Sequence, residues 1–279
     1  MKHLTAIRNP KSKIRNRPAF TMMELMMAIG IFAIGMGLIA GLFPAAVKEA
    51  ESAVKDYEGP TICQNGLAIV KARLTHPLTI GNIATEIVDC SSLLGPCDLQ
   101  YPSISPLVVT VPADQRRFEV GYLVLGMQWS GRNDYTLMLA AYEKRDPNNT
   151  VVTETLTVSS VNPNNDNPCP GYVHEDATEF TITGGTLPSG DRDKIVGSPA
   201  IDYRSDGSGR YAIISAVDGN TVYMERSIGE DAHGVMVIVE KNAGGAIQDG
   251  SPVTQMMMTR TALRDSSSGG GGGGGMPSQ

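Results

Sequence analysis

Glu24 is an acid set just inside an apolar stretch that effectively begins at Phe20 and carries no charge from residue 25 to residue 47. A carboxylate in a membrane segment costs roughly 2.5–3.5 kcal/mol at the helix centre and less near the interface, so it calls for a partner. The other reactive side chains are dispersed. Cys63, Cys90, Cys97 and Cys169 would form disulfides in an exported body. Cys90 and Cys97, in a loop-rich stretch with Gly95-Pro96, are the nearest pair, and Cys63 with Cys169 would complete the set. Spacing leaves all three connectivities open. No C-x-x-C occurs and His3, His76, His174 and His233 are scattered, so no zinc site is expected. His174-Glu175-Asp176 is a polar triplet, but neighbours in sequence seldom share a site, and a solvated loop is expected. Hard oxygens occur at Asp202, Asp206 and Ser208, at Asp191 and Asp193, and over residues 164–167, without EF-hand spacing. There is no G-x-S-x-G, H-E-x-x-H or P-loop pattern, so neither catalysis nor a cofactor is expected. Asn148-Asn149-Thr150 is a lone glycosylation sequon.

Glu24 must be positioned by what surrounds it. The chain has 23 basic and 29 acidic residues among 279, which is not the balance of a nucleic-acid binder. Six of the basic residues (Lys2, Arg8, Lys11, Lys13, Arg15, Arg17) fall in the first 19 positions, where there is no acid. The apolar run that follows would make a helix about 35 Å long, enough to cross a hydrocarbon core of roughly 30 Å. Basic residues before such a run predict a cytoplasmic N-terminus and an exported body.

Arg17-Pro18-Ala19-Phe20-Thr21-Met22-Met23-Glu24-Leu25 resembles the processing site of type IV prepilins and type II secretion pseudopilins. In that family a short basic leader ends in a small residue, usually glycine. The mature chain then starts with a methylated Phe, has Thr second and Glu fifth, and continues as an apolar helix. Phe20, Thr21 and Glu24 match those positions, and Ala19 stands where glycine is usual. The resemblance covers about 30 residues. It implies cleavage between Ala19 and Phe20 and methylation at Phe20 by a prepilin peptidase/methyltransferase. It also implies that Glu24 neutralises the new Phe20 amine of a neighbouring subunit, an attraction that burial strengthens.

Ala33, Gly37, Gly41 and Ala45 form a small-residue row of the kind that lets membrane helices approach. The competing reading is a secretory signal peptide, with Ala45-Ala46 as its best cleavage candidate. The long basic region and the length of the apolar run argue against it.

Past the membrane run, Val47, Ala50, Val54 and Tyr57 recur at helical spacing, predicting an amphipathic continuation that Gly59-Pro60 kinks or stops. A second helix is predicted over 62–74. From about residue 107 the period becomes two, with strands expected over 107–111, 118–125, 135–142, 151–158, 179–183, 210–217, 221–226, 235–240 and 253–259. Asp218-Gly219-Asn220 between two such runs is the strongest hairpin signal. Residues 162–171 should be a loop. Short connections argue for antiparallel pairing.

The expected fold class is therefore α+β and pilin-like: a long N-terminal helical spine, membrane-spanning in its first half, with a mainly antiparallel β head. The domains expected are a cleaved leader over 1–19, the helix over 20–58, an exported head over 59–264 and a Ser/Gly-rich disordered tail over 265–279. The expected function is a non-enzymatic, minor or specialised subunit of a type IV pilus or type II secretion pseudopilus. Its partners would be the prepilin peptidase, other pilin subunits and the inner membrane. The alternative is a singly anchored exported binding protein that does not polymerise.

Overall fold

A computed structural model describes residues 21–76, 78–80, 83–94, 99, 120–129, 134–204 and 210–265. The expected leader, Phe20, the 107–111 strand, Cys97 and most of the tail lie outside these residues. The chain divides into two compact units, residues 1–53 and 54–279.

One helix, α1, runs from Met22 to Arg73 over 52 residues. Its stretch Met22–Ala50 is long and apolar enough to cross a membrane, and none of it is buried in the chain. Such a segment is what a membrane anchor or a signal sequence requires. The two helices expected on either side of Gly59-Pro60 are thus a single helix. Tertiary packing overrides the local signal there. Ile62, Cys63, Val70 and Leu74 form a fully covered stripe against Tyr122, Val124, Leu137 and Leu139. Gly66 lets the helix come close, since a Cβ there would stand 2.8 Å from Leu139 Cδ2 and 2.9 Å from the Tyr122 ring.

The strands are β1 (Thr75–His76), β2 (Val88–Asp89), β3 (Val120–Gln128), β4 (Asp134–Glu143), β5 (Thr150–Val161), β6 (Pro168–Pro170), β7 (Glu179–Gly185), β8 (Pro199–Asp202), β9 (Tyr211–Asp218), β10 (Thr221–Met224), β11 (Val235–Lys241), β12 (Val253–Ala262) and β13 (Arg264–Asp265). A four-stranded antiparallel sheet has the order β12-β4-β3-β2. Its central strands carry apolar residues without alternation because both faces are covered. One face meets the C-terminal stripe of α1. The other places Leu123, Leu125, Met138 and Ala140 against Ile201, Met236 and Ile238.

Those last residues belong to the second sheet, which overturns the pilin-like α+β head. β5 pairs with β7 along one edge and with β11 along the other, and β7-β10-β9-β8-β11 supplies the rest of the circuit. Six antiparallel strands therefore close into a barrel, with β6 added to the far end of β5. Its interior is filled by Leu156, Val158, Phe180, Ile182, Ile214, Val222, Val235 and Val237. Closure needs curvature, and a bulge supplies some of it. The β5–β7 register shifts at Thr157/Val158, opposite Gly184 and Ile182, with Thr183 the extra residue and Gly185, just before the shift, opposite Leu156. Gly185 has φ +124°, and a Cβ there would lie 2.2 Å from the Thr155 carbonyl.

One carboxylate fastens the crossing from sheet to barrel, and a second ties two strands of the barrel wall. Buried Glu240 accepts hydrogen bonds from the Arg145 backbone N–H at 2.8 Å and the Asn149 amide at 2.7 Å, pinning the β4–β5 turn. Glu154 on β5 takes the Lys241 ammonium of β11 across the barrel wall.

Candidate functional site

The residues that carry the family resemblance lie at the start of α1. Thr21 is its N-cap and Glu24 its third residue, the spacing of a capping box. The Glu24 backbone N–H donates to the Thr21 hydroxyl at 3.3 Å. In return, Glu24 Oε2 accepts the Thr21 backbone N–H and its hydroxyl, each at 3.1 Å. Glu24 Oε1 takes no hydrogen bond among the described residues. A helix start leaves four N–H groups without intrahelical partners, and this box satisfies two of them. The carboxylate also lies at the positive end of the helix dipole. The capping role is legible in Thr-x-x-Glu, but the membrane context draws the eye to the charge instead. Ala19 and Phe20, the expected cleavage and methylation positions, lie outside the described residues.

Below the box, Met22, Met26, Ile29, Ile31, Phe32, Ile34, Leu38, Leu42 and Phe43 are all more than half exposed. Gly37 and Gly41 of the small-residue row have open space where a Cβ would go. A contiguous apolar surface of this length on one helix needs an apolar solvent or other helices to cover it.

The cysteines are free thiols at Cys63, Cys90 and Cys169. The expected tie between Cys63 and Cys169 is not made. Cys63 is enclosed between α1 and the four-stranded sheet and donates to the Leu139 carbonyl at 3.7 Å. Cys169 lies on β6 and donates to the Asn167 carbonyl at 3.7 Å. Burial, with the Asp89 charge adding to it, pushes the Cys90 thiol up to about 12. Cys97, its expected partner, lies outside the described residues.

Asp206 and Ser208 lie outside the described residues, and several of the other polar candidates fasten the fold locally. His174 Nδ1 accepts the Asp176 N–H at 3.2 Å, while Asp176 Oδ2 accepts the Asn164 amide at 2.9 Å. Asp191 pairs with Lys194 at 2.8 Å. Asp202 is fully buried and accepts the Arg204 N–H at 3.2 Å. Among the described residues, no group of three or more His, Cys, Asp or Glu side chains could hold a metal ion. Asn148 of the sequon is exposed on the β4–β5 turn, where its N–H donates to Asp146 Oδ1.

The N-terminal box on an uncovered apolar helix can therefore do two things: start the helix cleanly and present a carboxylate oxygen at its head. No protein-family model, curated protein or solved structure matches the chain.

Proposed function

We propose that the chain is the precursor of a structural subunit of a type IV pilus or type II secretion pseudopilus, inserted in the inner membrane with a cytoplasmic N-terminus. A prepilin peptidase/methyltransferase cuts it between Ala19 and Phe20 and methylates Phe20. The subunit then joins other pilin-type subunits through α1, with Glu24 compensating the Phe20 amine of a neighbour. The observation that carries this reading is a coincidence at one place. A basic leader, a small residue and Phe20 stand just ahead of the 29-residue stretch Met22–Ala50, which holds Glu24 in its first turn and has none of its length buried in the chain.

The barrel favours a second reading, a singly anchored exported binding protein, because a closed barrel is a self-sufficient module with no need of a filament. Mass spectrometry of the membrane-extracted protein separates the two. A methylated Phe20 start supports the assembly subunit, and an intact Met1 start supports the anchored binder. A start near Val47 supports a secreted domain and overturns both.

A further inference from the structure

The barrel carries a recess of about 330 Å³ on its outer wall, within the range of ~300–1,000 Å³ typical of ligand sites. Its floor is a hydroxyl row set by strand register. Ser159 on β5 pairs with Thr181 on β7, and Thr181 pairs with Thr221 on β10. At about 4.8 Å between strands, the three hydroxyls span roughly 10 Å. Two residues along, Glu179 of β7 pairs with Tyr223 of β10, on the same outward face as the row because side chains repeat every second residue. Pro168 and Pro170 of β6 line the recess beside Val161.

Several nearby hydroxyls are engaged within the fold: Thr183 with the Thr157 carbonyl, Ser215 with the Tyr223 carbonyl, Ser160 with the His174 N–H. The side chains of Ser159, Thr181, Thr221, Glu179 and Tyr223 have no such partner among the described residues. Their donors and acceptors are unspent; Ser159, Glu179, Thr181 and Thr221 line one concavity, and Tyr223 stands on the same outward face, paired with Glu179. Two large apolar side chains of this face, Val161 and Tyr223, are also exposed, at 50% and 38%.

We propose that this recess binds a neutral oligosaccharide. A pyranose offers a rim of hydroxyls that both donate and accept, matching the Ser/Thr row and the Glu179 carboxylate. Its C–H face is apolar and matches Val161 and the proline rings of the recess, with the Tyr223 ring available on the same outward face. Among the described residues no cation lines the recess, and the Glu179 carboxylate gives it negative charge, which disfavours phosphorylated or uronic sugars and nucleic acid. The proposal is independent of how the N-terminus is processed.

The test uses the full chain in a zwitterionic, sugar-free detergent, titrated calorimetrically with maltohexaose, cellohexaose, chitohexaose and heparin. The expected result is saturable binding of at least one neutral hexasaccharide and none of heparin. Tyr223→Ala and the double variant Thr181→Val/Thr221→Val should each weaken it by about tenfold or more, a change of roughly 1.4 kcal/mol. Glu179→Gln preserves shape and should weaken it less. Melting curves, checked on all variants, should match the parent because these side chains lie on the barrel's outer wall. Absence of binding to all three neutral sugars, stronger binding of heparin, or parent-like binding by Tyr223→Ala and the double variant would overturn the assignment.

Discussion

One carboxylate oxygen of Glu24 lies 3.1 Å from both the backbone nitrogen and the hydroxyl of Thr21, so the acid that would pair with a neighbour's amine is already holding the first turn of its own helix. The two roles separate by substitution. Glu24→Gln keeps an acceptor for the cap and removes the charge. Thr21→Ala removes the reciprocal cap, worth about 0.5–2 kcal/mol, and keeps the charge. If Glu24 serves assembly through its charge, Glu24→Gln and Glu24→Leu should both reach the membrane at parent levels and both fail to enter sheared or crosslinked filaments. Parent-like incorporation of Glu24→Gln, with a defect confined to Glu24→Leu and Thr21→Ala, would reduce the residue to a cap.

The Ala19–Phe20 bond should be cut only while a small residue precedes Phe20. Ala19→Leu should therefore accumulate as a species heavier by the 19-residue leader, read by intact mass. Processing at the parental rate would remove the main support for the prepilin reading.

Gly66 should tolerate nothing larger. A single methyl would press on Leu139 and on the Tyr122 ring, both in a covered core. Overpacking of this kind costs about 1–3 kcal/mol, so Gly66→Ala should lower the melting temperature and Gly66→Val should lower it further. A parent-like Tm for Gly66→Val would mean that α1 does not lie against β3 and β4 as described.

Gly185 is held more tightly still, by a positive φ and by the Thr155 carbonyl 2.2 Å from any Cβ. Gly185→Ala combines backbone strain of about 1–3 kcal/mol with a clash against main chain. The expected result is loss of the folded barrel, seen as loss of near-ultraviolet dichroism. Gly171→Ala, where a Cβ would meet open space, has the same φ sign without the clash and should be milder.

The buried thiols contribute to the alkaline limit of stability, alongside Tyr135 and Tyr142, whose hydroxyls burial also pushes up. Burial raises the Cys63 thiol, and burial together with Asp89 raises that of Cys90 to about 12 from an ordinary 9.0. The folded chain then holds protons that the unfolded chain releases. Their stabilisation is complete below about pH 9 and is lost as pH climbs from there toward 12. Urea midpoints should fall across that interval, and Cys90→Ala should flatten the fall. At neutral pH, iodoacetamide should leave Cys63, Cys90 and Cys169 unmodified until denaturant is added.

Much of this fold can be read from residue patterns. Strands expected over 151–158, 179–183, 221–226 and 235–240 match β5, β7, β10 and β11 within a few residues, and Gly219, at φ +59°, turns the β9–β10 hairpin. What fails is nonlocal. The alternation in β5 says which side chains face inward, but not that both its edges find partners. β6 hides in a stretch of Asn and Pro because three residues of an edge strand need no apolar signature. Gly59-Pro60 reads as a stop, yet the packing of Ile62 and Val70 carries the helix through it. At the N-terminal site, residue types pointed to the charge of Glu24, while the bonds it makes lie with its own Thr21. The Ser159–Thr181–Thr221 row could not be read in advance, since it exists only in the register of three strands.

Closure of the barrel has a mechanical consequence. A strand at the edge of an open sheet leaves by breaking one ladder, so such sheets fray from the outside inward. None of the six barrel strands occupies an edge along the whole circuit, and to detach any one of them two ladders must yield together. The ring therefore has no low-energy starting point for peeling, whereas β12, which among the described residues pairs with β4 on one side only, does. A pull or a protease should find its first purchase at β12, and the barrel should persist until it opens as a whole.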